Sequence, residues 1–420
     1  MTGLLNKHVV PALTVLSENT YLSAIRAGMV SVVPLTIIGG LFMIVAYLPV
    51  KGWEARVAPY LDLLQVPVTA TFGVLAVFAC FAIAYDLGRQ LKQEAFVSAT
   101  MATVVFLMIQ VAPKDQALVM DGLGSRGLFT AVLIALVTVR VQKFFNDRDL
   151  VIRMPAGVPP VVAQSFLSLV PLFCLVVAFW LVRFVVGLDI NHVVQTAFKP
   201  LVFALNTLPG ILVYAFLVTL LWSVGINGDN ALDAIVAPIF LQYLAVNVES
   251  VQNHQPPPYV TANGFFTTFV NVGGTGATIA LALVLWNSKE PGFRRVSRLS
   301  LPTQIFQINE PIFFGLPIVL NPVLMVPYVL NALILTAGTF LLMHWGVINK
   351  PYVNVPWTTP PIIGHYLVSG GDWRAAAWGV VSIAIAMAVY YPFARAAERA
   401  RLSGEMDAGP EPCDTAVRPE

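Results

Sequence analysis

Ten apolar stretches of this sequence are candidates to cross a bilayer, and they constrain the fold more than any other feature. A helix needs about 20 apolar residues to span the hydrocarbon core, since each residue advances it by about 1.5 Å. The candidate spans cover residues 24–49, 69–87, 96–111, 127–141, 161–186, 208–224, 231–248, 265–286, 322–345 and 375–393. The pattern predicts an all-α membrane protein with about ten transmembrane helices and interrupted, re-entrant segments.

The composition agrees with a bilayer as the solvent. Charged residues make up 11% of the 420 residues, whereas soluble domains carry about 25%. The formal net charge of +2 is too small to indicate a nucleic-acid partner. No G-x-x-x-x-G-K-S/T loop is present, so this chain does not hydrolyse ATP. The three cysteines and five histidines lack metal-ligand spacing, and we expect no metal or other cofactor.

Lysine and arginine set the predicted orientation, because cytoplasmic loops hold most of these residues. With the N-terminus inside and the ten spans alternating, 16 of the 24 lysines and arginines fall on the inner side. Both chain termini are therefore predicted to be cytoplasmic.

A carboxylate lies within the apolar stretch of residues 301–329. Residues 308–317 read INEPIFFGLP, so Glu310 follows Asn309. Prolines and a glycine interrupt the stretch, and an internal proline removes a backbone donor and breaks a helix. At membrane depth, broken backbone and ionisable side chains line a wet cavity or face a substrate. We interpret the stretch as a re-entrant or hinged segment that presents Glu310 to a polar ligand. The alternative is a carboxylate that caps a short helix or pairs with an arginine.

A second interrupted region, LWSVGINGDN, follows an apolar helix at residues 221–230. Asn227, Asp229 and Asn230 cluster beside two glycines. Together with Glu310 and Asn309 they offer the donors and acceptors that sugar hydroxyls need. Transporters place substrates near the midplane between such broken helices. We therefore predict a polar substrate site here, with an N-cap role as the alternative for Asp229.

Two tryptophans are further candidates. Trp222 and Trp357 offer flat faces for a pyranose ring, and the alternative for each is a position in the aromatic belt at the membrane interface.

Three other segments do not look like ordinary spans. Residues 146–160 mix charge with apolar side chains and predict a membrane-surface connector between two halves of the protein. Residues 356–371 are short and proline-rich, and predict either a second dipping segment or a long external loop. The run Gly273-Gly274-Thr275-Gly276 favours close helix packing over phosphate binding.

The segment INEPIFFGLPIVLNP at residues 308–322 resembles the membrane subunit, enzyme IIC, of the bacterial phosphoenolpyruvate-dependent sugar phosphotransferase system. It is most similar to the lactose/cellobiose/diacetylchitobiose branch, and the resemblance runs over nearly the whole chain. The N-E-P-I-x-F-G motif is specific, and weaker matches follow in the same order. They are Pro11, SAIR at 23–26, Pro34, IGG at 38–40, GSRGLF at 124–129, MPAGVPP at 154–160, Ser165-Phe166, PWTTP at 356–360 and GDWRA at 371–375.

The resemblance implies a homodimer of ten-span subunits in the bacterial cytoplasmic membrane. Residues 1–150 would form a dimerisation region, 151–207 an amphipathic connector and linking span, 208–396 the substrate-binding region and 397–420 a disordered cytoplasmic tail. It implies transport of a disaccharide such as cellobiose, lactose or chitobiose. A phosphocysteine on a separate enzyme IIB, charged by enzyme IIA, would phosphorylate the sugar. Glu310 corresponds to the family's sugar-binding glutamate, and we expect it to orient or deprotonate the accepting hydroxyl.

One departure from the family bears on the chemistry. The family usually has Gly-Ile-His-Gly where residues 225–228 here read Gly-Ile-Asn-Gly. Histidine can carry a proton near neutral pH, whereas the Asn227 amide can only hydrogen-bond. If a base is essential, the chain is a same-fold sugar transporter without phosphorylation, facilitated or ion-coupled. Phosphoryl transfer depends mostly on positioning and charge stabilisation, so both functions stay open from the sequence.

Overall fold

The apolar runs fold into helices in a computed structural model of the chain. The structure describes residues 19–47, 52–113, 116–155, 157, 160–316, 318 and 321–403, and within these it has seventeen α-helices and no β-strand. The first nine helices are α1 (Thr20–Ala46), α2 (Trp53–Val57), α3 (Leu61–Phe72), α4 (Leu75–Gln90), α5 (Ala95–Ile109), α6 (Met120–Leu123), α7 (Leu128–Asp147), α8 (Pro160–Trp180) and α9 (Ile190–Leu205). The others are α10 (Leu208–Ser223), α11 (Gly228–Gln252), α12 (Thr278–Leu285), α13 (Pro291–Gln304), α14 (Glu310–Gly315), α15 (Pro322–His344), α16 (Pro361–Val368) and α17 (Trp373–Leu402).

Seven helical segments of the described residues are long and apolar enough to cross a membrane, and a bent pair would make eight. Three of the ten predicted spans are not among the seven. Helix α5 has 15 residues, and α10 has 16 and meets α9 at 82°. The stretch predicted over residues 265–286 is interrupted. The all-α membrane fold is confirmed, while these three spans are shorter or broken.

The helices form two groups that are joined through α11. Helices α1, α3, α4, α5 and α7 contact one another in the first group. In the second group α10 packs on α15, and α12, α15 and α16 pack on α17. Helix α11 contacts both α1 and α10. The first residues of α11 therefore lie where the two groups meet.

Asparagine side chains cap the N-termini of two long helices. Asn19 accepts hydrogen bonds from two N–H groups at the start of α1, and Asn321 accepts one from the Val323 N–H at the start of α15. Such caps satisfy first-turn donors that have no partner within the helix. Pro34, Pro238 and Pro327 lie inside α1, α11 and α15 without ending them, as membrane helices tolerate where neighbours satisfy the freed backbone groups.

The interrupted stretch is two helical pieces joined by a glycine loop. A π-helical turn covers Phe265–Val270, and α12 begins at Thr278. Between them Gly273, Gly274 and Gly276 have φ of +72°, +103° and +76°, a region that L-residues enter only at a steric cost. A Cβ on any of the three would overlap a neighbouring atom. Close packing is therefore present, but it involves a loop and not the face of a continuous helix.

The segment predicted as a dip or an external loop folds back on itself. The Asn349 N–H donates to Asp372 Oδ2 over 2.9 Å, and Asn349 Nδ2 donates to the Ser369 carbonyl over 3.3 Å. The Tyr352 N–H donates to the Val368 carbonyl over 3.2 Å. Helix α16 packs against α17 and the π-helical turn. The ends of this segment meet and its helix packs on the bundle, so it forms a hairpin, as either prediction allows.

Several predicted segments lie partly outside the described residues. The span predicted at 24–49 extends past residue 47, and residues 317, 319 and 320 of the stretch at 301–329 are outside. In the connector, Arg153 pairs with Asp149 over 2.8 Å, and residues 156, 158 and 159 are outside. Helix α17 continues to Leu402, so the start of the predicted tail at 397–402 is helical. Residues 404–420 lie outside the described part.

Candidate functional site

The region of residues 221–230 is the junction between α10 and α11. Helix α10 ends at Ser223, and Gly225 turns the chain with φ of +87°. Asn227 is the N-cap of α11, since its Oδ1 accepts from the Asn230 N–H over 2.9 Å. Asp229 is the second residue of α11 and is not the cap. The cap therefore uses the Asn227 oxygen, while the acidic side chain is available for other contacts.

The Asp229 carboxylate gathers three side-chain donors. Trp222 Nε1 and Thr275 Oγ1 donate to Oδ2 over 2.8 and 2.7 Å, and Asn271 Nδ2 donates to Oδ1 over 3.2 Å. These donors belong to α10 and to the glycine loop. Hydrogen bonds to an ionised group are about twice as strong as neutral ones, so Asp229 ties three segments together. A carboxylate has about four acceptor sites, which leaves Oδ1 able to accept from a ligand hydroxyl.

Asn309 connects the glycine loop to the second candidate segment. Its side chain is 3% exposed, and Nδ2 donates to the Thr275 carbonyl over 3.1 Å. The hydroxyl of the same threonine donates to Asp229. The Asn309 side chain fills the space that a Cβ on Gly274 would need, so this approach requires a glycine. The two regions predicted separately from the sequence are thus brought together through one threonine.

Glu310 is the first residue of the six-residue helix α14. Its side chain is exposed, and it forms no ion pair or hydrogen bond with the residues that the structure describes. The arginine pairing considered from the sequence is therefore not observed in this part of the chain. Asn309, which precedes Glu310, is held by its hydrogen bond to the Thr275 carbonyl. The backbone of Glu310 is therefore anchored beside the Asp229 cluster.

The two candidate tryptophans have different surroundings. Trp222 is 5% exposed, and its ring packs edge-to-face on Phe313 with the centroids 5.1 Å apart. This burial excludes an interfacial-belt position for Trp222. Trp357 is 59% exposed in the loop before α16. The structure brings Trp222 to Asp229 and leaves the face of Trp357 open.

A residue from the first group of helices also reaches the site. Arg26 on α1 donates from Nη1 to the Asn230 carbonyl over 2.8 Å, and its charge acts on Asp233 one turn further along α11. The Asn230 side chain is exposed. Helix α1 therefore holds the first turn of α11 in place.

The sequence pattern did not identify Arg26, Asn271, Thr275 or Gln307 as site residues. Each is a polar side chain inside or beside an apolar stretch, and this position is the sequence feature that could have identified it as a site residue. Two surface cavities of about 160 and 410 Å³ lie near α5, α7 and α8, and none of the candidate residues lines them.

The Phosphotransferase system, EIIC family matches residues 26–332. The chain belongs to this family. This EIIC chain is 34% identical over 417 residues to the PTS system cellobiose-specific EIIC component of Geobacillus stearothermophilus, covering 93% of this chain and 92% of that protein. It is 32% identical over 431 residues to the Lichenan permease IIC component of Bacillus subtilis, covering 96% and 95%.

A longer relative and a solved structure extend the comparison. The EIIC chain is 29% identical over 410 residues to the PTS system lactose-specific EIICB component of Streptococcus mutans, covering 93% of this chain and 72% of that protein. The crystal structure of the transporter ChbC, the IIC component from the N,N'-diacetylchitobiose-specific phosphotransferase system, matches with a TM-score of 0.90 at 32% identity. It covers 96% of this chain and 99% of that chain. The resemblance read from the INEP segment is confirmed.

Proposed function

We propose that this EIIC chain is a sugar permease that binds a β-linked disaccharide between the Asp229 cluster and Glu310. Relatives that the chain matches nearly end to end are named for cellobiose and lichenan, and the matching solved structure for diacetylchitobiose. Cellobiose is therefore the first sugar to test, followed by diacetylchitobiose and lactose.

The observation that carries the proposal is the Glu310 carboxylate, which is exposed and has no partner among the described residues. The preceding Asn309 joins it to the Asp229 cluster through Thr275. Holding an ionisable side chain at membrane depth costs free energy, which a hydroxylated ligand offsets by donating to it. Asp229 Oδ1, the Asn227 amide and the Asn230 side chain supply further acceptors and donors. The open face of Trp357 is available to pack on a pyranose ring.

The proposed chemistry is group translocation. A phosphorylated enzyme IIB, charged by enzyme IIA, transfers its phosphoryl group to a hydroxyl of the bound sugar, and Glu310 orients that hydroxyl or accepts its proton. The sulfur–phosphorus bond of the IIB phosphocysteine breaks as the oxygen–phosphorus bond to the sugar forms. Such transfer relies mainly on positioning, so an asparagine at position 227 is compatible with it.

The proposed assembly is a homodimer in the bacterial cytoplasmic membrane, with both termini cytoplasmic. Residues 1–150 dimerise, 151–207 connect, and 208–396 bind the sugar. The mutual contacts of α1, α3, α4, α5 and α7, and the packing of α10, α12, α15, α16 and α17 as a second group, support this division. The excess of lysine and arginine on the inner side supports the orientation.

Sugar binding to the full chain in lipid nanodiscs, measured by calorimetry, tests the proposal. We expect cellobiose to bind, and Glu310→Gln to weaken binding by about 10-fold to 100-fold because a charge-assisted hydrogen bond is lost. Glu249→Gln is the control, since Glu249 is a half-exposed carboxylate on α11 that pairs with Arg126 over 3.8 Å. Near-normal binding by Glu310→Gln would remove Glu310 from the site.

Transport without phosphorylation is the second candidate, and Asn227 favours it. Its oxygen is committed to the α11 cap, and an amide does not take up a proton at neutral pH. Proteoliposomes loaded with phosphorylated enzyme IIB separate the two functions. Sugar phosphate in the lumen supports group translocation, whereas free sugar alone supports the second candidate.

A further inference from the structure

Gln307 has a backbone conformation that is unusual for its residue type. Its φ is +68°, and the residue is buried, with 6% of its surface exposed. It occupies the left-handed position that ends α13: its own N–H donates to the Gln304 carbonyl, and the Ile308 N–H donates to the Thr303 carbonyl. Glycine or asparagine is the common residue at this position of a helix end. A glutamine that adopts it at a steric cost is held there by its other contacts.

Those contacts join three segments of the site. Gln307 Oε1 accepts from the Gly273 N–H over 2.7 Å and from the Gly274 N–H over 3.1 Å. Its Nε2 donates to the Thr359 carbonyl over 3.4 Å. One side-chain amide therefore bridges the glycine loop, the turn before α14 and the loop before α16.

Gln307 and Asn309 hold the glycine loop at neighbouring points. Gln307 binds the Gly273 and Gly274 N–H groups, and Asn309 donates to the Thr275 carbonyl. Thr275 in turn donates to Asp229. The separation between Glu310, three residues after Gln307, and the Asp229 carboxylate is therefore set through these hydrogen bonds. The loop that carries Trp357 is linked to the same amide through Thr359.

We infer that Gln307 is a positioning residue for sugar binding, one that fixes Glu310 relative to Asp229 without contacting the ligand. This inference rests on the proposed function of the site. It assigns a role in affinity to a residue that only the structure brings to the site. We call the three hydrogen bonds of the Gln307 side chain the Gln307 clamp. Without them Glu310 and Asp229 adopt a wider range of relative positions, which weakens sugar binding even while the fold is retained.

Gln307→Gly is the decisive variant. Glycine adopts the left-handed backbone without steric cost, so the variant keeps the turn but loses the three hydrogen bonds of the side chain. We expect cellobiose binding in nanodiscs to weaken by about 10-fold to 100-fold. Gln307→Met, which keeps side-chain length without polar atoms, should weaken binding to a similar degree.

Gln116→Gly is the matched control, because Gln116 is an exposed glutamine with φ of +54° in a loop apart from the site. It should leave the dissociation constant within about 2-fold. Unfolding temperatures of both glycine variants are measured alongside. An unchanged dissociation constant for Gln307→Gly in folded protein would overturn the inference.

A double-mutant cycle tests whether Gln307 acts through Glu310. In the Glu310→Gln background, Gln307→Gly should cost less than about 2-fold in affinity, because the group that it positions is already lost. A full multiplicative loss would mean that Gln307 does not position Glu310.

Hydrogen exchange separates failure of the inference from failure of the proposed function. Without any sugar, the Gly273 and Gly274 amides should exchange faster in Gln307→Gly than in the unaltered chain. If the unaltered chain binds none of the three disaccharides, the proposed function fails. The exchange rates still show whether Gln307 protects the Gly273 and Gly274 amides. Unchanged exchange at both glycines in Gln307→Gly would refute these hydrogen bonds.

Discussion

The Arg26 guanidinium donates a hydrogen bond of 2.8 Å to the Asn230 carbonyl, which lies 204 residues further along the chain. The contact joins α1, in the first group of helices, to the first turn of α11, where the candidate site begins. It also sets a cation beside a helix turn that carries Asp229 and Asp233. The geometry of the site therefore depends on how the two groups of helices pack.

Replacing Arg26 should weaken this junction. Arg26→Ala leaves the Asn230 carbonyl without its donor and removes the cation near two carboxylates. We expect a loss of about 1–3 kcal/mol in the free energy of unfolding, measured by thermal unfolding in detergent. Arg140→Ala, an exposed cation on α7, is the control and should change little. Equal losses in the two variants would show that the Arg26 contact is not specific.

Asp229→Asn should disrupt the three-donor cluster. An amide offers one acceptor oxygen and turns its NH₂ toward groups that also donate, so at least one of Trp222, Thr275 and Asn271 loses its partner. We expect destabilisation of about 1–3 kcal/mol. Combination with Trp222→Phe should be non-additive by about 0.5 kcal/mol or more, because the two side chains share a hydrogen bond. Additive losses would argue against that hydrogen bond.

Gly276→Ala tests the close packing of the glycine loop. Gly276 has φ of +76° and its added Cβ would overlap the Tyr328 ring, whereas Gly346 has φ of +72° with open space around it. Both alanine variants carry a backbone cost of about 1–2 kcal/mol. Gly276→Ala should lose about 1–3 kcal/mol more through overpacking. If thermal unfolding shows the same loss for both, the loop does not pack as tightly as described.

Asp372 should make the stability of the hairpin before α17 depend on pH. Burial works against its ionisation, but hydrogen bonds from Arg374 and Asn349, with the Arg374 charge, lower the pKa of its carboxyl below the ordinary value. The ionised group therefore stabilises the fold above about pH 4, its pKa in an unfolded chain. This stabilisation is lost as the pH falls through the lower folded-state pKa.

Asp372→Asn gives the measurement. The difference in unfolding temperature between the unaltered chain and this variant should be constant from about pH 5 to pH 8 and shrink below about pH 4. Asp62→Asn, at an exposed carboxylate on α3, is the control. A difference that grows on acidification would contradict the assigned direction.

Trp357→Ala separates sugar stacking from structure. Trp357 is 59% exposed and Trp345 is 68% exposed, so neither truncation should change stability by more than about 0.5 kcal/mol. An aromatic face on a sugar contributes about 0.5–1.5 kcal/mol, so Trp357→Ala should weaken cellobiose binding by about 2-fold to 12-fold. Trp345→Ala should not. Equal affinities would exclude Trp357 from the site.

Local sequence signals predicted much of this protein. Residues 24–49 and 322–345 are apolar over about the thickness of a bilayer, and helices α1 and α15 formed close to those limits. Prolines and glycines marked the breaks before Asn227 and around Glu310, because proline restricts the backbone and glycine allows conformations that other residues avoid. The INEP motif was sufficient to indicate the family.

The sequence was less informative where one segment depends on another. Residues 265–286 have the hydropathy of a span, but a glycine loop interrupts them. Asn309 and Tyr328, from later segments, fill the space that a Cβ on Gly274 or Gly276 would need. Residues 356–371 were predicted as a dip or a loop, and only the Asn349–Asp372 contact showed that the ends of the segment meet.

Hydropathy and chain-breaking residues are local properties, so the amino-acid sequence alone determined that this is a helical membrane protein with two interrupted polar segments. Only the tertiary structure decided that Asp229, Thr275 and Asn309 meet, that Gln307 bridges three segments and that Arg26 reaches α11. Hydrogen bonds between residues far apart in the chain depend on distances of a few ångströms. Those distances are set by the packing of whole helices, which no single segment encodes.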